Sequence, residues 1–67
     1  MRVYELRIIR GDLEYGRYLF EGNSGMEAFE NAEEAGVFYI DAGVVYEIIA
    51  VNISTGLAVK FEAARGT

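Results

Sequence analysis

Ser24, Ser54, Thr55, Thr67 and five tyrosines are the hydroxyl groups that could attack a substrate, and the chain has no histidine or cysteine to activate one. Ser–His and Cys–His nucleophile systems are thereby excluded. Lys60 is the only lysine. It alternates outward on a strand, with no apolar pocket around it to make the amine a base or nucleophile. Eleven acids offer many carboxylate pairs, but paired-acid hydrolysis needs a substrate cleft, and 67 residues hardly form one alone. No enzymatic activity and no cofactor are expected.

Binding motifs fare little better. "GDLEYG", residues 11–16, is followed by Arg17-Tyr18 and a strand, whereas a phosphate-binding loop needs Lys-Ser/Thr and a helix. "EGNSG", residues 21–25, does lead into a helix N-terminus, where free N–H groups can take an anion. Glu27 and Glu30 stand in that first turn, however, and a capped helix is the plainer explanation. "RGD" at Arg10–Asp12 reads as the end of a strand followed by a turn. The acids lack the spacing of a calcium loop, and without cysteine or histidine no zinc site is expected.

Two clusters remain. "NSGMEAFENAEEAG", residues 23–36, holds four glutamates and no basic residue. On a wheel of about 100° per residue, Glu27, Glu30 and Glu34 share a stripe of about 60°. Met26, Phe29 and Ala32 lie on the opposite side, and Glu33 falls on the rim of that buried side. Charged helix faces usually interleave lysine or arginine at i,i+4, and like charges at that spacing cost a few tenths of a kcal/mol per pair. The unbalanced stripe therefore reads as a surface for a basic partner. The second cluster is "EYGRY", residues 14–18, where Tyr15 and Tyr18 bracket Arg17; tyrosine and arginine are favoured interface anchors.

The elements that must position these residues follow from size and pattern. A chain of this length makes one domain, spanning 1–67, and buries only about 60% of its unfolded surface. The hydrophobic content of 52% exceeds the usual range of about 45–50%, so an ordered fold is expected. Small domains without disulfides often rely on tight packing or oligomerisation. Residues 1–10 carry three arginines and Glu5 (+2), residues 11–41 eight acids and Arg17 (−7), and residues 42–67 balance at 0, giving the net −5. Such a balance disfavours a phosphate backbone as ligand, so direct nucleic-acid binding is not expected. The uncharged runs Ala42–Tyr46 and Ile48–Leu57 are broken by Glu47 and Asn52 and read as strand, with no membrane span. Charges run through "MRVYELRIIR", where a signal peptide would be apolar, and a cytoplasmic setting is expected.

Alternation predicts strands over Arg2–Arg10, with Tyr4, Leu6 and Ile8 inward, and around Tyr15–Glu21, joined by Gly11-Asp12. Ser24-x-x-Glu27 is a capping box that starts a helix over about Gly25–Ala35. Gly36 fits a left-handed C-terminal cap. Strand three is expected at Val37–Ile40, strand four at Val44–Asn52 after "DAG", and strand five at Leu57–Ala63 after "ISTG". Leu57, Val59, Phe61 and Ala63 point inward on strand five. The tail Ala64–Thr67 is expected to fray. The result is an α+β fold in the order β-β-α-β-β-β, an antiparallel sheet with one short helix packed on it.

Strand four is apolar on both faces, with Val45, Ile49 and Val51 on the face opposite Tyr46 and Ile48. One short helix covers one face of a sheet, so either the sheet curls into a partial barrel or its second face meets another chain. The composite expectation is an acidic, non-enzymatic protein-binding module that self-associates through Val45, Ile49 and Val51. It would inhibit or adapt a partner with a basic surface through Glu27, Glu30 and Glu34, aided by Tyr15 and Arg17. Compact acidic chains of this kind suit inhibitors from phages or mobile elements, and the stripe could imitate the phosphates of a nucleic acid. An assembly subunit using the apolar strand face is the alternative. A small-ligand barrel lined by Tyr18, Phe20, Phe38 and Tyr46 is a weaker one.

Overall fold

A computed structural model describes residues 1–65. Four strands and one helix follow in the order β1 (Arg2–Arg10), β2 (Leu13–Gly22), α1 (Gly25–Glu34), β3 (Val45–Asn52) and β4 (Ala58–Ala64). All neighbours are antiparallel in a sheet of order β2-β1-β3-β4. The α+β architecture is the expected one, with two corrections: the sheet has four strands instead of five, and it stays open instead of curling into a barrel.

The turns form where the sequence places special residues. Gly11 (φ 60°) turns β1 into β2. At the β3–β4 hairpin, Asn52 Oδ1 accepts from the N–H groups of Ser54 (2.9 Å) and Thr55 (3.3 Å), the local bond that makes asparagine a turn former. At the helix start, Ser24 Oγ accepts from Glu27 N–H at 3.1 Å. Glu27 Oε1 reaches back to the N–H of Asn23 at 3.1 Å, one residue before the usual target of a capping box. The end is a Schellman arrangement: with Gly36 at φ 75°, its N–H donates to Glu33 O and that of Val37 to Ala32 O, both at 3.0 Å.

One face of the sheet carries the core. Tyr4, Leu6 and Ile8 of β1 and Tyr46, Ile48 and Ala50 of β3 are buried under Ala28, Phe29 and Ala32 of the helix. The spacing of the buried helical residues Gly25, Ala28, Phe29 and Ala32 is the i, i+3, i+4, i+7 pattern of an amphipathic helix. Met26, expected on the buried side, is half exposed at the helix start.

Val37–Ile40 is the expected strand that does not form. Its alternation is correct, since Phe38 and Ile40 are buried and Tyr39 is exposed. The segment lies across the helix face of the sheet, and Val37 N–H is already used by the helix cap. Phe38 stacks on Tyr18 (centroids 5.5 Å) and leans on Phe29 (5.3 Å), which meets Phe61 edge-on. The buried Tyr46 hydroxyl accepts from Asp41 N–H (3.3 Å) and donates to its carboxylate (3.4 Å), fixing the far end of the loop. The four aromatic side chains proposed to line a ligand barrel thus pack within or against the core.

β4 begins at Ala58, one residue later than expected; its inward parity is right, but Val59, and Leu57 just before the strand, remain exposed at 51% and 74%. The helix reaches this strand at Gly25 and Phe29, and Leu57 lies beyond its first turn. The tail differs from expectation as far as it is described. Ala64 ends β4, Arg65 pairs with Glu33 (Nε–Oε2 2.9 Å), and its carbonyl accepts from Gly43 N–H at 3.2 Å. Gly66 and Thr67 lie outside the described residues.

Candidate functional site

The helix stripe divides once its bonds are traced. Glu27 is half-buried and held in the cap. Glu30 and Glu34 are exposed. Glu33, on the rim as expected, is taken by Arg65. Five of the six basic side chains form ion pairs: Arg7 and Arg17 with Glu14, Arg10 with Asp41, Lys60 with Glu47 and Arg65 with Glu33. The sixth, Arg2, donates to the Asn23 carbonyl at 2.6 Å. Among the described residues none of these cations meets Glu30 or Glu34, so the outer helix face carries net negative charge with no internal counter-ion.

Tyr15 and Arg17 do not join that face. The register shifts between Ile8 and Ile9 of β1, which pair with Gly16 and Glu14. Tyr15 is thus the extra residue of a β-bulge. Its ring meets Tyr46 edge-on at 6.0 Å, and its hydroxyl accepts from Arg10 at 3.4 Å. Arg17 points to the opposite, helix-free face, where it meets Glu14 at 2.7 Å. The cluster therefore contributes to two faces of the sheet and forms no single anchor.

That open face is a lattice of charges and aliphatics. One cross-strand row reads Arg17, Arg7, Ile49, Lys60, and the next reads Glu14, Ile9, Glu47, Glu62. Ile49 and Val51 are half-buried, Ile49 between Arg7 and Lys60, Val51 between Glu5 and Ala58. Val45 is exposed at the start of β3, opposite Ala64. The proposed self-association residues share a face, but charged side chains divide them.

Glu14 is the residue that sequence reasoning missed. Arg7 and Arg17 face each other across β1 and β2, a like-charge pairing that is unfavourable by itself. Glu14 clamps both, accepting from Arg7 Nε at 3.1 Å and Arg17 Nε at 2.7 Å. The bulge makes this possible, because a one-residue slip moves a side chain to the other face. The signal was Gly16, since glycine inside a strand often marks a bulge. Hydrogen bonds from Arg7, then Arg17, hold the Glu14 carboxyl down from 4.5 to about 2. The folded pKa is depressed, so this clamp stabilises above the unfolded value and its contribution disappears as pH falls from 4.5 toward 2. The side chains of Arg7 and Glu14 are about one-third exposed (32% and 33%), so solvent weakens the effect. Wild type is expected to melt higher than Glu14→Gln at neutral pH, with the gap closing by about pH 2 in thermal melts. A gap constant across that window would show that the charge contributes nothing.

Among the described residues, no group of three or more acid side chains is placed to hold a metal ion, and no helix is long and apolar enough to cross a membrane. No protein-family model matches the chain, and neither curated proteins nor solved structures give a match to it.

Proposed function

We propose that this protein is a small, non-enzymatic binding module that presents the outer face of α1 to a basic surface on a partner protein and thereby inhibits or adapts that partner. The observation that carries this reading is the distribution of counter-charge. Five of the six cations pair with other acids, one of them with Glu33 on the helix rim, while Glu30 and Glu34 stand exposed on a capped, well-anchored helix. A rigid helix holds such charges at fixed spacing, and complementary potentials raise association rates and select partners. If the partner's basic surface is a nucleic-acid groove, the two carboxylates stand where phosphates would, with Glu27 at the margin.

Capture of partners from native lysate on immobilised protein tests the reading. Glu30→Gln/Glu34→Gln is expected to weaken capture at low salt by on the order of 10-fold and to flatten its salt dependence. Both substitutions lie on an exposed helix face, so circular dichroism should be unchanged. Equal capture by the variant and wild type at low salt would refute the proposal.

A further inference from the structure

The sheet has two edges, β2 and β4, and an edge strand offers unpaired N–H and C=O groups to any chain of matching pattern. The fold treats the two differently. At β2, Asn31 reaches from the helix and its Nδ2 donates to the Glu21 carbonyl at 3.0 Å, while the bulge at Tyr15 interrupts regular pairing further along. β4 has neither device: its residues, AVKFEAA, include no proline or glycine and keep an unbroken register against β3.

The groups that β4 presents follow from its ladder. In an antiparallel pair, the N–H and C=O of one residue point to the same side, and successive residues alternate. The carbonyls of Leu57 and Arg65 turn inward, accepting from the N–H groups of Asn52 (2.8 Å) and Gly43 (3.2 Å). Odd-numbered residues therefore bond toward β3. Ala58, Lys60, Glu62 and Ala64 send their main-chain groups out to the free edge.

The side chains of β4 are complementary to themselves. Laid antiparallel on a copy about Phe61, the strand puts Lys60 opposite Glu62 twice, Ala58 opposite Ala64 twice and Val59 opposite Ala63 twice. The opposite charges fall at the positions whose main-chain groups are free. Within one chain Glu62 faces Glu47 across the ladder, an unfavourable pairing. Lys60 serves Glu47 at 3.7 Å, and Glu62 makes no ion pair among the described residues. A second copy supplies the missing cation. On the helix face it also lays Ala63 beside the half-exposed Val59.

We infer that β4 is a homodimerisation edge: a second copy of this chain pairs antiparallel with it about Phe61 and joins two four-stranded sheets into one. Reciprocal Lys60–Glu62 pairs set the register. An edge lysine ordinarily deters pairing. Here Glu62, two residues on, makes it register-setting, because shifting the centre to Lys60 or Glu62 sets like charges against each other. The surface is separate from the outer helix face, and the inference goes beyond the proposed function.

Sedimentation equilibrium of the full chain over a range of concentrations tests it, with circular dichroism to verify folding. Wild type is expected to dimerise. Glu62→Lys sets lysines against each other at both pairs and should raise the dimer dissociation constant on the order of 100-fold, while placing a cation opposite Glu47 in the folded monomer. The double exchange Lys60→Glu/Glu62→Lys reverses each pair and should restore association. A wild-type chain that stays monomeric up to ~1 mM, or a Glu62→Lys variant that associates as tightly as wild type, would overturn the inference. The second outcome would move self-association to another surface, the open face with Val45, Ile49 and Val51 being the first candidate. Glu30 and Glu34 are untouched in every variant, so partner capture and dimerisation fail or survive separately.

Discussion

Phe38→Ala is expected to cost about 3–5 kcal/mol, as removal of a buried aromatic does, which is most of the stability of a domain this small. Phe38 is buried in a segment with no strand pairing of its own. Its ring stacks on Tyr18 of β2 and leans on Phe29 of the helix, and Phe29 carries the contact on to Phe61 of β4. Truncation therefore leaves a cavity between β2 and the helix and releases the loop that covers them. Tyr39→Ala removes a ring of similar size at the next position, but that side chain is 86% exposed, so its cost should stay within about 0.5 kcal/mol. Denaturant midpoints compare the two directly. Similar small losses would mean that the 37–40 segment is not packed on the sheet in solution.

The same segment shows what the sequence could and could not disclose. Period-2 alternation tells which side chains face the core, and at Phe38, Tyr39 and Ile40 it does so correctly. It does not tell whether the main chain has a neighbour to bond. Residues 37–40 cross the helix face of the sheet, where no strand lies alongside, so inward side chains occur without a ladder. The inward parity of β4 was legible for the same reason. The exposure of Leu57 and Val59 was not, since it depends on how far the helix extends over the outer strand.

The candidate site divides along the same line. Features set by near neighbours were legible: the Ser24 cap, the positive-φ Gly36 and the grouping of Glu30 with Glu34. Features set by register were not. The bulge at Tyr15 sends Tyr15 toward Tyr46 and turns Glu14 to the face of Arg7 and Arg17, which separates the aromatic and basic parts of "EYGRY". The self-complementarity of β4 was present in its residue order, but it acquires meaning only once β4 is an edge and Glu47 stands opposite Glu62.

Gly22→Ala should be the most disruptive of the small changes. Gly22 ends β2, and the chain turns back within a few residues to lay α1 on the sheet. A Cβ at Gly22 would sit 2.7 Å from Ala28 Cα and closer still to the Ala28 backbone nitrogen. Those atoms belong to the helix main chain, so no rotamer change relieves the contact; the helix itself must lift. Lifting it loosens Ala28, Phe29 and Ala32 at once and re-aims the face that carries Glu30 and Glu34. Overpacking of this kind costs about 1–3 kcal/mol, occasionally more, and the main-chain obstacle places this site at the upper end. Adding Ala28→Gly discriminates between explanations, because it deletes a side chain the clash does not involve. Calorimetric melts of the single and double variants should therefore show no recovery, and a double variant as stable as Ala28→Gly alone would mean that the helix is not seated on the Gly22 backbone.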